Sequence, residues 1–133
     1  MEKLISKIWK MNKSILVVDD EKELRELISI YLKMNGFNVI ESNSGNNALE
    51  IMSQENDIGL VICDLQMPNG DGKFLLNVLK NERKSAIPVF LCSGGSLSDL
   101  DSFVLAGALA VFEKPLKLKQ LLISINDALG INK

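Results

Sequence analysis

The sequence predicts an α/β domain: a doubly wound, five-stranded parallel sheet with helices on both faces. Three observations carry that expectation. From Ser14 onward, short apolar runs alternate strictly with amphipathic segments. The runs are apolar at consecutive positions, as strands covered on both sides must be. Five strands and five helices in alternation, joined by right-handed crossovers, leave one layered arrangement.

Ile15-Leu16-Val17-Val18 is the first strand and stops abruptly at Asp19-Asp20. Leu24, Leu27, Ile28, Tyr31 and Leu32 follow at helical spacing, and Gly36 ends that helix. Phe37 to Glu41 is a weaker second strand; Ser44 is placed to cap a helix carrying Ala48, Leu49 and Met52. Leu60 to Cys63 is the third strand, ending at Asp64. A loop with Pro68, Gly70, Asp71 and Gly72 leads to a helix bearing Phe74, Leu75, Val78 and Leu79, with Asp71 read as a turn or capping residue. Val89 to Cys92 is the fourth strand, ending at Ser93-Gly94-Gly95, and the next helix carries Leu100, Phe103 and Val104. Ala110 to Glu113 is a short fifth strand. Lys114-Pro115 opens the last helix, whose inner face is Leu118, Leu121, Leu122, Ile125 and Leu129.

Residues 1–13 precede this unit as an extension, 14–130 form the domain, and 131–133 are a tail. In the extension Leu4, Ile8 and Met11 share a helical face with Ile5 and Trp9, while Lys3, Lys7 and Lys10 share another. A helix of about 12 residues is marginal alone in water. Contact with its own domain or with a twin chain is therefore expected, in preference to a membrane surface.

Composition excludes several functions. The 133 residues are 47% hydrophobic and 24% charged, an ordinary globular balance for one domain. Fifteen basic against 17 acidic residues, net −2, leave no polycationic footprint for nucleic acid. The chain has no histidine, which removes Ser-His-Asp and Cys-His catalysis, histidine-ligated metals and any phosphohistidine of its own. Cys63 and Cys92, too few for a disulfide scaffold or zinc site, read as buried strand thiols. No apolar run approaches the ~18 residues of a membrane span, and the start lacks the apolar core of a signal peptide. A cytoplasmic location is expected. Met1 and the short tail favour a complete small protein, with no room for a second domain, over a fragment cut from a longer chain.

Ligands of doubly wound sheets bind beyond the carboxyl ends of the strands. Asp19, Asp20, Asp64, Ser93 and Lys114 all fall there. Singly, the aspartates read as helix caps, Lys114 as a surface lysine and Ser93 as a turn residue. Together they read as a site. Carboxylates a few ångströms apart repel by about 4 kcal/mol per pair at an effective dielectric near 20. Such a cluster calls for a cation, and oxygen ligands suit Mg²⁺ or Mn²⁺. With a lysine and a hydroxyl beside it, this is a phosphoryl-transfer site with an aspartate nucleophile.

On these motifs the chain resembles the receiver domain of two-component response regulators, of the single-domain type related to the chemotaxis regulator. The matching stretches are Ile15-Leu16-Val17-Val18-Asp19-Asp20, Asp64-Leu65-Gln66-Met67-Pro68 with Gly70-Asp71-Gly72, Leu91-Cys92-Ser93-Gly94 and Glu113-Lys114-Pro115. The resemblance implies a flavodoxin-like sheet in the order 2-1-3-4-5. It makes Asp64 the phosphoacceptor, loaded from a phosphohistidine on a sensor histidine kinase or histidine phosphotransfer protein. Asp19, Asp20, Asp64 and the Gln66 backbone carbonyl would hold Mg²⁺, Ser93 and Lys114 would bind phosphoryl oxygens, and the Lys114–Pro115 peptide would be cis. Gln66 and Gly95 would tune the lifetime of the phosphoryl group. The output is an interaction with an unknown protein target, or a homodimer.

Rival readings fit less well. A haloacid-dehalogenase-type hydrolase wants an acid where Gln66 stands, and a flavodoxin-like electron carrier wants a phosphate loop where the two aspartates stand. A degenerate receiver would lack one of the five polar residues. One departure stands out: the family's switch ring, three residues before the lysine, is Val111 here, and Phe112 points to the opposite face. A weakened switch is therefore expected, with the response concentrated near Gly94-Gly95 and strand five nearly unmoved.

Overall fold

The computed structural model describes residues 2–94 and 100–130. In chain order it contains α1 (Glu2–Asn12), β1 (Ser14–Val18), α2 (Lys22–Met34), β2 (Asn38–Ser42), α3 (Gly45–Gln54) and β3 (Ile58–Asp64). Then come α4 (Gly72–Asn77), which continues as a π-helical turn over Val78–Glu82, β4 (Val89–Ser93), α5 (Leu100–Leu105), β5 (Ala110–Glu113) and α6 (Leu118–Ala128). The strands form one parallel sheet in the order β2-β1-β3-β4-β5, as the sequence predicts.

Every residue of β1 and β4 is buried, which is why those runs are apolar without alternation. Two cores sandwich the sheet. On one face Leu16, Val61 and Leu91 meet Ala48 of α3 and Leu75, Leu76 and Leu79 of the α4 helix. On the other, Ile15, Leu60 and Phe90 meet Ile28 and Leu32 of α2 and Leu121 and Ile125 of α6.

Strand ends shift by one or two residues, and three further details differ from expectation. β2 starts at Asn38, because Phe37 is tied back to the helix by its N–H bond to the Leu32 carbonyl, 3.1 Å, after Gly36 turns at φ 90°. The α4 helix faces the core with Leu75, Leu76 and Leu79, leaving Phe74 39% exposed. Its last turn widens, Arg83 N–H reaching the Val78 carbonyl at 2.8 Å, while Lys80 donates to the carbonyls of Ser85 and Ile87 at 3.1 and 2.6 Å. Likewise Val104, read as part of the apolar face of α5, is exposed while Phe103 packs inward. The side chain of Leu100, Gly95 and the tail 131–133 lie outside the described residues.

The caps fall where the sequence puts them. Ser44 Oγ accepts the Asn47 N–H at 3.1 Å, and Asp71 Oδ1 accepts the Phe74 N–H at 2.9 Å. α1 lies against its own domain. Trp9 meets Phe37 edge to face at 5.8 Å, the Lys10 ammonium sits 4.6 Å over the Phe37 ring, and Asn38 Nδ2 donates to the Lys10 carbonyl at 2.7 Å. Gly59 admits the Trp9 ring, since a Cβ there would stand 2.6 Å from a ring carbon. The β1–β3 register slips there too, Ser14 pairing with Ile58 but Ile15 with Leu60.

Candidate functional site

Parallel register brings the strand ends together. Val18 pairs with Cys63, Asp64 with Cys92, and Ser93 with Glu113. The residues just past or at those ends therefore share one rim. Asp19, Asp64 and Ser93 are buried there, Asp20 is exposed, and Lys114 is half-buried. Carboxylate oxygens of Asp19, Asp20 and Asp64 all lie within 4.8 Å of one another. Lys114 Nζ stands 2.9 Å from Asp64 Oδ2, 3.6 Å from Asp19 Oδ2 and 3.5 Å from Glu21 Oε1. The structure thus brings together the aspartates and the lysine that the sequence singles out, with Ser93 buried at the end of the neighbouring strand.

Backbone groups fix the two buried carboxylates. Asp19 Oδ1 accepts the Glu21 N–H at 2.9 Å just ahead of α2, but Glu21 is itself the N-cap and no side chain caps that helix, so Asp19 is not the helix cap it reads as singly. Asp64 Oδ1 accepts the Gln66 N–H at 3.3 Å, while the Gln66 residue is otherwise exposed. Lys114 N–H donates to the Ser93 carbonyl at 2.7 Å, and the Lys114–Pro115 peptide is cis.

Among the described residues Lys114 pairs with Asp19, Asp64 and Glu21, and Asp20 lies in the same carboxylate cluster, so the rim is net anionic. Burial pushes the Asp19 carboxyl up, against the opposing pull of the Glu21 N–H and Lys114. For Lys114 burial works downward, but its hydrogen bond to Asp64 and the charges of Asp19, Asp64 and Glu21 outweigh it and raise the ammonium's value. The donor set fits a small divalent cation: hard oxygens close together, with exposed Asp20 leaving an open side for water. The thiols take no part. Burial pushes Cys92 up to about 12 and Cys63 well above its ordinary value, so both stay protonated, as buried strand thiols should.

Sequence reasoning missed the supports of this rim. Arg25 donates to the Asp19 carbonyl at 2.8 Å and to Glu41 Oε1 at 3.0 Å, bracing the β1 turn against β2. Its only sequence signal was a basic residue one turn into the helix after the acidic pair. Gly45 N–H meets the Gly70 carbonyl at 2.7 Å, which holds the loop after β3 close to α3. A Cβ on Gly72 would stand 2.7 Å from the Asp64 carbonyl oxygen and 3.1 Å from Leu65 Cα. Because backbone on the strand bearing Asp64 must move, Gly72→Ala is expected to cost about 1–3 kcal/mol. Urea denaturation checks this, and an unchanged midpoint would show that the loop yields freely.

Val111 packs with the face of α3, α4 and α5, whereas Phe112 lies on the opposite face, 5.3 Å from Phe90. The alternation expected from the sequence holds.

A family model described as the response regulator receiver domain matches residues 15–126. Among curated relatives, a cyclic di-GMP phosphodiesterase of Thermotoga maritima is 33% identical over 116 residues, 87% of this chain and 31% of that protein. The transcriptional regulatory protein SrrA of Staphylococcus aureus is 27% identical over 119 residues, 90% of this chain and 48% of that protein. The chain therefore spans under half the length of these two relatives. The receiver domain of the Francisella response regulator 1452 superposes with a TM-score of 0.83 at 26% identity, covering 92% of this chain and 100% of that one. A CheY-like receiver domain protein from Methanospirillum hungatei gives 0.80 at 26% identity, covering 89% and 94%. With the sheet order and the acidic rim in agreement, the chain belongs to the response regulator receiver domain family.

Proposed function

We propose that residues 14–130 act as the phosphoacceptor of a two-component phosphorelay, with Asp64 taking a phosphoryl group from a phosphohistidine on a sensor histidine kinase or histidine phosphotransfer protein. A bond forms between an Asp64 oxygen and phosphorus as the P–N bond breaks, its electron pair returning to the imidazole. The observation that carries this reading is Lys114 Nζ at 2.9 Å from Asp64 Oδ2, within a cluster shared with Asp19 and Asp20. Lys114 and Ser93 hold the transferred oxygens. Asp19, Asp20, Asp64 and the Gln66 carbonyl would hold Mg²⁺ or Mn²⁺. The ion supplies charge neutralisation for the incoming phosphoryl group.

The phosphorylated chain carries up to about two added negative charges at the rim, and it signals by contact with a protein target or a second copy of itself. A hollow of about 440 Å³ beside Lys114, lined in part by Phe112, Pro115, Lys117 and Gln120, gives a partner chain somewhere to rest next to the site. A cytoplasmic location, where such kinases present their phosphohistidine, completes the reading; among the described residues no helix is long and apolar enough to cross a membrane.

With Mg²⁺ and acetyl phosphate the intact mass is expected to rise by one phosphoryl group, and EDTA to prevent the rise. No label with either Mg²⁺ or Mn²⁺ would overturn the phosphoacceptor reading. Labelling that persists in EDTA would overturn the role of the cation.

A further inference from the structure

α1 is amphipathic, yet it stands on the domain by one narrow edge. Trp9 and Lys10 make its contacts with Phe37, Asn38 and the open face of Gly59. Leu4, Ile8 and Met11 lie along one side of the helix. They are 56%, 51% and 70% exposed, and Ile5 beside them is 38% exposed. Helices on globular domains turn such a stripe inward. This one is turned out, and contiguous large apolar side chains at a surface mark something that covers them.

Charge says what covers them. Residues 1–13 hold four lysines and one glutamate, net +3; the whole chain is −2, so residues 14–133 carry −5. We propose that α1 docks the protein on an anionic lipid bilayer. The helix lies in the plane of the interface, with Leu4, Ile8 and Met11 among the acyl chains and exposed Lys7 and Lys13 at the head groups. An apolar hollow of about 370 Å³ between Ile5, Ile8, Trp9 and Lys13 extends the lipid-facing side.

A second copy of the chain fits worse. It would bring two segments of net +3 together, and one face of a three-turn helix falls well short of the roughly 800 Å² per partner of a stable interface. The stripe is also a convex ridge, which a protein partner must match with a groove and a bilayer need not. Trp9 and Asn38 already hold α1 folded on the body, so the bilayer does not bear the cost of nucleating the helix. The orientation is workable as well. α1 enters β1 at its amino end, whereas Asp19 and Asp64 lie at the carboxyl ends, so a docked protein keeps the acidic rim facing away from lipid.

The test is co-sedimentation of the 133-residue chain with vesicles of phosphatidylcholine alone or with a third phosphatidylglycerol. Binding is expected only to the anionic vesicles, weakening as salt is added. Ile8→Ser is expected to abolish it, and Lys7→Glu to weaken it by more than the roughly fivefold that one lysine is worth. Both positions are exposed, so a circular dichroism spectrum like that of the parent shows the fold intact. A chain that stays in the supernatant at low salt overturns the proposal. So does binding that neither substitution changes. Sedimentation velocity closes the remaining route: a dimer that Ile8→Ser dissociates assigns the stripe to self-association and overturns it too.

Discussion

Asp64→Asn is expected to take up no phosphoryl group from acetyl phosphate or from a phosphohistidine donor. The substitution is nearly isosteric, so Lys114 at 2.9 Å and the Gln66 N–H at 3.3 Å keep a side chain between them. An amide, however, has one oxygen and one NH₂ where the carboxylate has two acceptors. Whichever way it turns, a donor faces either Lys114 or Gln66. The lost hydrogen bond costs about 1 kcal/mol, partly offset because a repelling charge leaves the cluster with Asp19 and Asp20. The fold should therefore persist while the nucleophile is gone. Intact mass reads the uptake and a urea melt reads the fold. A singly labelled asparagine variant would move the acceptor to Asp19 or Asp20, and a variant that does not fold would transfer the question to Asp64→Glu. That side chain keeps the charge but displaces it by a methylene, and uptake should fall by a hundredfold or more, since about 1 Å of misplacement costs that much.

Much of this site is legible in the sequence because parallel pairing converts sequence position into place. Once Ile15–Val18, Leu60–Cys63 and Val89–Cys92 are read as doubly buried strands, their ends must coincide, and the polar residue after each apolar run becomes part of one rim. What was not legible depends on contacts between distant segments. Arg25 and Glu41 belong to a helix and to the neighbouring edge strand, and neither residue type announces the other. The widened turn over Val78–Glu82 accompanies the Lys80 ammonium reaching the Ser85 and Ile87 carbonyls, a contact no local propensity encodes. Periodicity found the apolar side of α1 but not its direction. That is set by Trp9 finding the space above Gly59, so that the expected protein contact is made by one edge while Leu4, Ile8 and Met11 stay outside. Phe74 failed for a related reason: Leu75, Leu76 and Leu79 suffice to cover the sheet, and the helix rotates to bury them.

Lys114→Met should have the second large effect, and it separates chemistry from stability. Methionine keeps most of the apolar stem and removes the ammonium that touches Asp64, Asp19 and Glu21. Phosphoryl uptake is expected to fall by about 10²–10³-fold, the usual loss when one donor to developing charge is removed. The metal-free protein should also lose about 3 kcal/mol at neutral pH, because buried Asp19 and Asp64 are left without their cation. The pH dependence follows from the directions of the shifts. Lys114 is raised in the fold, so its contribution is complete below its ordinary value of 10.5 and disappears as pH rises through the higher folded value. The parent chain should lose that stability in strong alkali, and the variant has none of it to lose. Asp19 is raised too, so its ionised form costs stability that is recovered as pH falls through its folded value. Without Lys114 that value rises further, and acidification should bring the variant back toward the parent. Urea melts across this range decide the matter: a variant as stable as the parent at neutral pH, with the same slope on either side, would mean that Lys114 does not balance the carboxylates.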